Sequence, residues 1–184
     1  MNSLKKFFTI FPVLLVGASL LIAQEKPRVS PHETITATID GNEIKVVYGR
    51  PYTKDPKTGE KRKIWGGLVP FGKPWRTGAD EATLLTTQQP LQIAGTTIPA
   101  GTYSLFTQPE ENGDAKLIIN KQTGQWGTKY DEKQDLARVA LKKEATANAV
   151  DQFTMAIEKN SSGGGTLKLM WENTQYSVAF TVKK

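Results

Sequence analysis

The sequence predicts an all-β domain, an antiparallel β-sandwich or jelly roll with at most one short helix. Two observations predict it. Past residue 30 the dominant period is two, with Ile35, Ala37 and Ile39 alternating against Thr34, Thr36 and Thr38, as in a strand with one buried face. The apolar runs are also short, and Gly, Pro, Asn and Asp separate them at the spacing of sandwich strands.

Taken in order, the first strand ends at Asp40-Gly41-Asn42, a hairpin signal leading into a second strand over residues 43–48. Further strands are expected at 82–87, 91–93, 102–108, 115–120, 136–141, 152–158, 167–171 and 176–183. Two segments carry helix signals, the charged start of 131–138 and the alanine-rich 142–150, although propensity is a weak guide against tertiary context. The run Ser161-Ser162-Gly163-Gly164-Gly165 reads as a flexible turn between two strands. On the late strand, Trp171 alternates with Leu167 and Leu169 and is assigned to the core. Tyr103 and Phe106 fall on opposite faces of their strand, so one of the two is expected to be buried.

At the amino terminus, Lys5 and Lys6 precede an uncharged run from Phe7 to Ala23, which gives way to Gln24-Glu25-Lys26-Pro27. This is the layout of a secretory signal. Residues 1–23 are therefore expected to be a signal peptide and residues 24–184 a single β-sandwich domain, exported to the periplasm or medium with no stable membrane span after cleavage. Leu21, three residues before the expected bond, departs from the small-x-small rule. The chain has no cysteine, which excludes a lipoprotein anchor, a disulfide framework, thiolate metal sites and cysteine nucleophiles. The formal charge of +6 falls once Lys5 and Lys6 leave with the leader. The one dense basic stretch, Lys54, Lys57, Lys61, Arg62 and Lys63, is diluted by Asp55 and Glu60 and reads as a solvated loop face. No nucleic-acid motif accompanies it.

Residues 64–83, IWGGLVPFGKPWRTGADEAT, hold too much glycine and proline for a regular element and form a shaped loop. Gly67 to Lys73 satisfies the first seven positions of a phosphate-binding loop, but Pro74 stands where that loop needs a magnesium-binding hydroxyl, so the match is a coincidence. With a single histidine, His32, in a segment where mobility is expected, neither a multi-histidine metal site nor a Ser-His-Asp triad is supported. No metal, cofactor or catalytic residue is assigned.

The loop's chemistry lies in Trp75-Arg76-Thr77-Gly78-Ala79-Asp80-Glu81. Adjacent carboxylates on an extended backbone point to opposite faces, so Asp80 and Glu81 are not expected to work as a pair. Either one pairs with Arg76 or Arg50 in a purely structural reading. In a functional reading Trp75, Trp65 or Trp126 offers an apolar face while Arg76, Asp80 and Glu81 supply directional hydrogen bonds.

Arg50-Pro51, the Gly66 to Thr83 loop, Pro99-Ala100-Gly101-Thr102-Tyr103-Ser104-Leu105, Asn120-Lys121, Trp126-Gly127, Tyr130-Asp131, Asp135 with Arg138, and Trp171-Glu172 occur here in one order. That order resembles the domain of unknown function 2911 family of secreted bacterial proteins. The resemblance implies a mostly β, exported protein and carries no catalytic residue to transfer. It also leads one to expect asparagine in many members where this chain has Asp80, and a shorter loop at 54–63.

The expected function is a module binding a small polar or carbohydrate ligand at the 64–83 loop through Arg50, Trp75, Arg76, Asp80, Glu81 and Trp126. Two alternatives stand beside it. One is a glycosidase-like hydrolase pairing Asp80 or Glu81 with a distant carboxylate such as Asp135 or Glu172; the other is an envelope scaffold or protein-interaction domain with no small ligand.

Overall fold

The computed structural model describes residues 28–183, and the signal peptide expected at residues 1–23 lies outside them. The strands are β1 (His32–Ile39), β2 (Asn42–Gly49), β3 (Thr83–Thr87), β4 (Leu91–Ile93), β5 (Thr96–Ile98), β6 (Gly101–Pro109), β7 (Ala115–Asn120), β8 (Asp135–Lys159) and β9 (Gly165–Val182). They form one antiparallel sheet in the order β1-β2-β3-β6-β7-β8-β9-β4-β5. The all-β expectation is met. Among the described residues no helix is long and apolar enough to cross a membrane.

Turn chemistry explains the hairpins. Asp40 and Gly41 both have positive φ, 50° and 83°, the geometry that matches the twist of two strands joined by two residues. Ala94 and Gly95 repeat it at 46° and 83°. That Ala-Gly pair is a weak sequence signal, and the short β5 beyond it is absent from the expected strands.

Neither helix signal becomes an α-helix. Within 131–138 only Glu132–Gln134 turns, as a single 3₁₀ turn capped by the Asp131 side chain, which accepts from the Lys133 N–H. The 142–150 segment lies inside β8, where residues 142–145 pair with residues 174–177 of β9 before the register shifts at 145–150 and again at 150–154. The ladder partners offered by β9 outweigh a propensity of a few tenths of a kcal/mol per residue.

These irregularities let β8 serve two neighbours. Its start extends the sheet beside β7. Further along, it meets the chain leaving β2: the Phe153 N–H donates to the Pro51 carbonyl at 2.9 Å and the Thr53 N–H to Asp151 at 2.7 Å. Arg50 strengthens this seam through Nε to the Phe153 carbonyl at 3.1 Å, Nη2 to Thr154 Oγ1 at 2.8 Å and an ion pair with Glu33 at 3.0 Å.

The core is aromatic at one end. The Phe153 ring stands edge-on to Tyr48, Trp75 and Trp171 at 5.8, 5.1 and 5.7 Å, while Trp75 and Trp171 stack at 5.8 Å. Trp171 is fully buried, as its alternation predicts. Tyr103 and Phe106 are both buried, because β6 is covered on both faces: Tyr103 joins the main core, and Phe106 packs with Ala82, Ile118 and Tyr130.

Tyr48 also ties β2 to β8 through its hydroxyl, which donates to Glu33 at 2.8 Å and accepts from the Met155 N–H at 2.9 Å. Burial is the main cause that pushes this phenol up to about 12. The folded chain therefore keeps a proton that the unfolded chain releases near 10, and Tyr48 contributes stability below pH 10 that is lost as pH rises through 12. Tyr48→Phe should cost about 1–3 kcal/mol at pH 8. Its deficit should then shrink between pH 10 and 12, measured as urea midpoints of the two proteins.

Candidate functional site

The 64–83 loop is built around residues that face inward. Trp75 exchanges backbone hydrogen bonds with Thr107 of β6, both at 2.8 Å, while its ring enters the aromatic core. Thr77 is fully buried with φ of 53°; its hydroxyl meets that of Thr107 at 2.8 Å, and its carbonyl accepts from Thr83 Oγ1 at 2.7 Å. Beyond Thr77 the loop lies directly on the end of β2. A Cβ on Gly49 would fall 2.4 Å from the Ala79 carbonyl oxygen, and one on Gly78 would fall 2.7 Å from that of Gly49. Only glycine permits this approach of two backbones.

On its other side the loop is bonded to the turn at 125–127. The Gly127 N–H donates to the Asp80 carbonyl at 2.9 Å, and the Ala82 N–H donates to that of Gln125 at 3.2 Å. Asp80 has φ of 63°, outside the extended region, so the alternation that would separate two neighbouring carboxylates is broken. Asp80 and Glu81 instead converge, a correction to the expectation that they face opposite ways.

They converge on His32 and Arg28. His32 Nε2 lies 3.2 Å from Asp80 Oδ2 and 3.5 Å from Glu81 Oε2. Arg28 Nη1 lies 2.6 Å from Glu81 Oε2, 3.1 Å from His32 Nε2 and 4.0 Å from Asp80 Oδ2. The Arg28 hydrogen bond is the main cause that holds the Glu81 carboxyl below its usual range, against the opposing effect of burial. Beside the cluster opens a cavity of about 190 Å³ lined by Arg28, His32, Tyr48, Gly49, Glu81 and Leu84, with Val47 and Ala82 completing it.

Residues 30–180 match the model of a family described as a protein of unknown function, DUF2911. The chain belongs to the DUF2911 family. No curated protein and no solved structure matches it. The DUF2911 match takes in the loop, His32, Asp80 and Glu81, and begins just after Arg28.

Among the residues singled out in this DUF2911 protein by sequence, the structure unites only Asp80 and Glu81 at the cluster. Trp75 is 7% exposed and stacked on Trp171, so its face is taken by the core. Arg50 bonds β8 and Glu33. Arg76 reaches the Gly78 carbonyl at 3.4 Å and packs over Gly127; neither arginine pairs with Asp80 or Glu81. Trp126 is 49% exposed, and its backbone bridges Glu81. Asp135 is engaged by Asn120, Tyr130 and Arg138 at 2.6 to 2.8 Å, and Glu172 faces Lys61 at 3.6 Å. Arg28 and His32 are the residues that sequence reasoning left out. His32 opens β1 and is held there by pairing with Gly49; its one sequence signal is that it is the chain's single histidine.

The seat of the loop on β2 can be tested directly. Gly49→Ala forces a methyl group into the Ala79 carbonyl and should cost about 1–3 kcal/mol in denaturant unfolding. The same change at Gly41, where a Cβ meets nothing within 4 Å, brings no such contact and costs only the strain of its φ of 83°, about 1 kcal/mol.

Proposed function

We propose that this protein is an exported module that binds a small polar ligand, without converting it, at the rim where Arg28, His32, Asp80 and Glu81 meet. The observation that carries this reading is the convergence of two carboxylates, an imidazole and a guanidinium at the mouth of the 190 Å³ cavity. Charged groups of both signs at the mouth and Val47, Ala82 and Leu84 along the wall suit a ligand that is polar at one end. The volume is below the roughly 300 Å³ at which ordinary small-molecule pockets begin, which favours an amine or hydroxyl compound of few atoms. Of the three tryptophans that the sequence offers for an apolar face, Trp75, Trp65 and Trp126, it is Trp126, exposed beside Glu81, that takes the flanking role. Export rests on the basic and apolar pattern of residues 5–23.

Two measurements test the reading. Sequencing the amino terminus of protein recovered from an expressing bacterium's envelope or medium should return Gln24; a chain retained in the cytoplasm with its leader intact would remove the export claim. Thermal unfolding in EDTA against amino acids, amines, monosaccharides and peptidoglycan fragments should give a saturable rise in midpoint with one class. Asp80→Asn combined with Glu81→Gln should abolish that rise in a protein that remains folded. An unmoved midpoint across the panel counts against the ligand.

A further inference from the structure

Three lone-pair atoms of the rim face one another: His32 Nε2, Asp80 Oδ2 and Glu81 Oε2, all within 4.8 Å. Glu81 Oε2 accepts from Arg28 Nη1 at 2.6 Å, but no single protonation state of His32 Nε2 suits both Arg28 and Asp80. If Nε2 carries a proton it donates to Asp80 at 3.2 Å, but the Arg28 Nη1 donor at 3.1 Å then faces another N–H. If Nε2 is bare it accepts from Arg28, but two carboxylate oxygens at 3.2 and 3.5 Å face its lone pair. Each protonation state leaves at least one pair of like groups in contact. A cation at the centre of the three acceptors removes the conflict, and the Arg28 nitrogen already sits among them as a partial substitute.

We infer that His32, Asp80 and Glu81 form a binding site for a divalent transition-metal ion, for which Arg28 Nη1 is the internal competitor. The inference rests on the reading of this rim as a binding site and names its first ligand. Two ligand atoms each about 2.1 Å from a tetrahedral zinc stand about 3.4 Å apart. The observed 3.2 and 3.5 Å from Nε2 bracket that spacing. One imidazole and two carboxylates suit zinc or manganese, whereas calcium prefers six to eight oxygens. Three protein ligands at an accessible rim leave a fourth coordination position open. The strand and the loop supply the ligands independently: His32 from the start of β1, and the two carboxylates from a loop fixed on Gly49.

The test uses the untagged protein, because an affinity tag of histidines would itself bind the ion. Calorimetry with zinc alone should show one ion per chain. Arg28→Ala, which removes the competing charge, should bind zinc about tenfold tighter. His32→Gln, which keeps a polar side chain but loses the imidazole, should weaken binding by about a hundredfold. Because the chain has one histidine, its ring protons form a single set of NMR signals. Manganese should broaden that set at substoichiometric amounts.

A cluster that is only an ion-pair network gives a different result. Arg28→Ala then lowers the unfolding midpoint, neither protein takes up zinc, and the His32 signals are unchanged by manganese; that outcome overturns the metal site. Equal zinc uptake by wild type and His32→Gln overturns it as well. The organic panel in EDTA reads independently of both, so loss of the metal and loss of the small ligand are separate results.

Discussion

Three rings packed around that of Phe153 hold the structure together in a chain that has no disulfide to help. Tyr48 comes from β2, Trp75 from the 64–83 loop, and Trp171 from β9. Such ring pairs add about 0.5–1.5 kcal/mol each beyond the area they bury. Their positions matter more than the sum. The loop has no regular secondary structure of its own, and the indole of Trp75 anchors it in the core five residues before the first rim carboxylate.

From that anchor the backbone takes an unusual course. Thr77 and Asp80 adopt left-handed conformations, each costing roughly 1–2 kcal/mol in a residue with a side chain. The cost is offset locally by the buried hydroxyl bonds of Thr77, the contact of Gly78 and Ala79 with Gly49, and the bonds to the 125–127 turn. The result of these constraints is that two consecutive acidic side chains share one direction and meet a histidine that precedes the first of them by 48 residues.

Most of the sheet was legible in the sequence because strand alternation and Asp-Gly turn chemistry are local. β5 was not, since its hairpin uses Ala94-Gly95. The strand at 142–150 was not, since its helix formers are overruled by pairing with β9, a long-range fact. At the rim, Asp80 and Glu81 could be singled out by composition. Their mutual orientation depends on a single φ angle, which no periodicity encodes. Trp75 misled for a related reason: an indole in a glycine-rich loop looks exposed until the loop is seen folding back across β6. His32 and Arg28 join the cluster only because the pairing of β1 with β2 carries them to the Gly49 end, where the loop arrives.

The left-handed backbone at Asp80 restricts which residues can stand there. Aspartate and asparagine tolerate that conformation better than other residues with a side chain, and both place an oxygen on the same short stem. An exchange between them leaves the loop's path, its seat on Gly49 and the aromatic anchor unchanged while adding or removing one unit of negative charge at the rim. The fold thus carries a built-in charge dial: one position at which a lineage can retune what its rim attracts without having to redesign the domain that holds it.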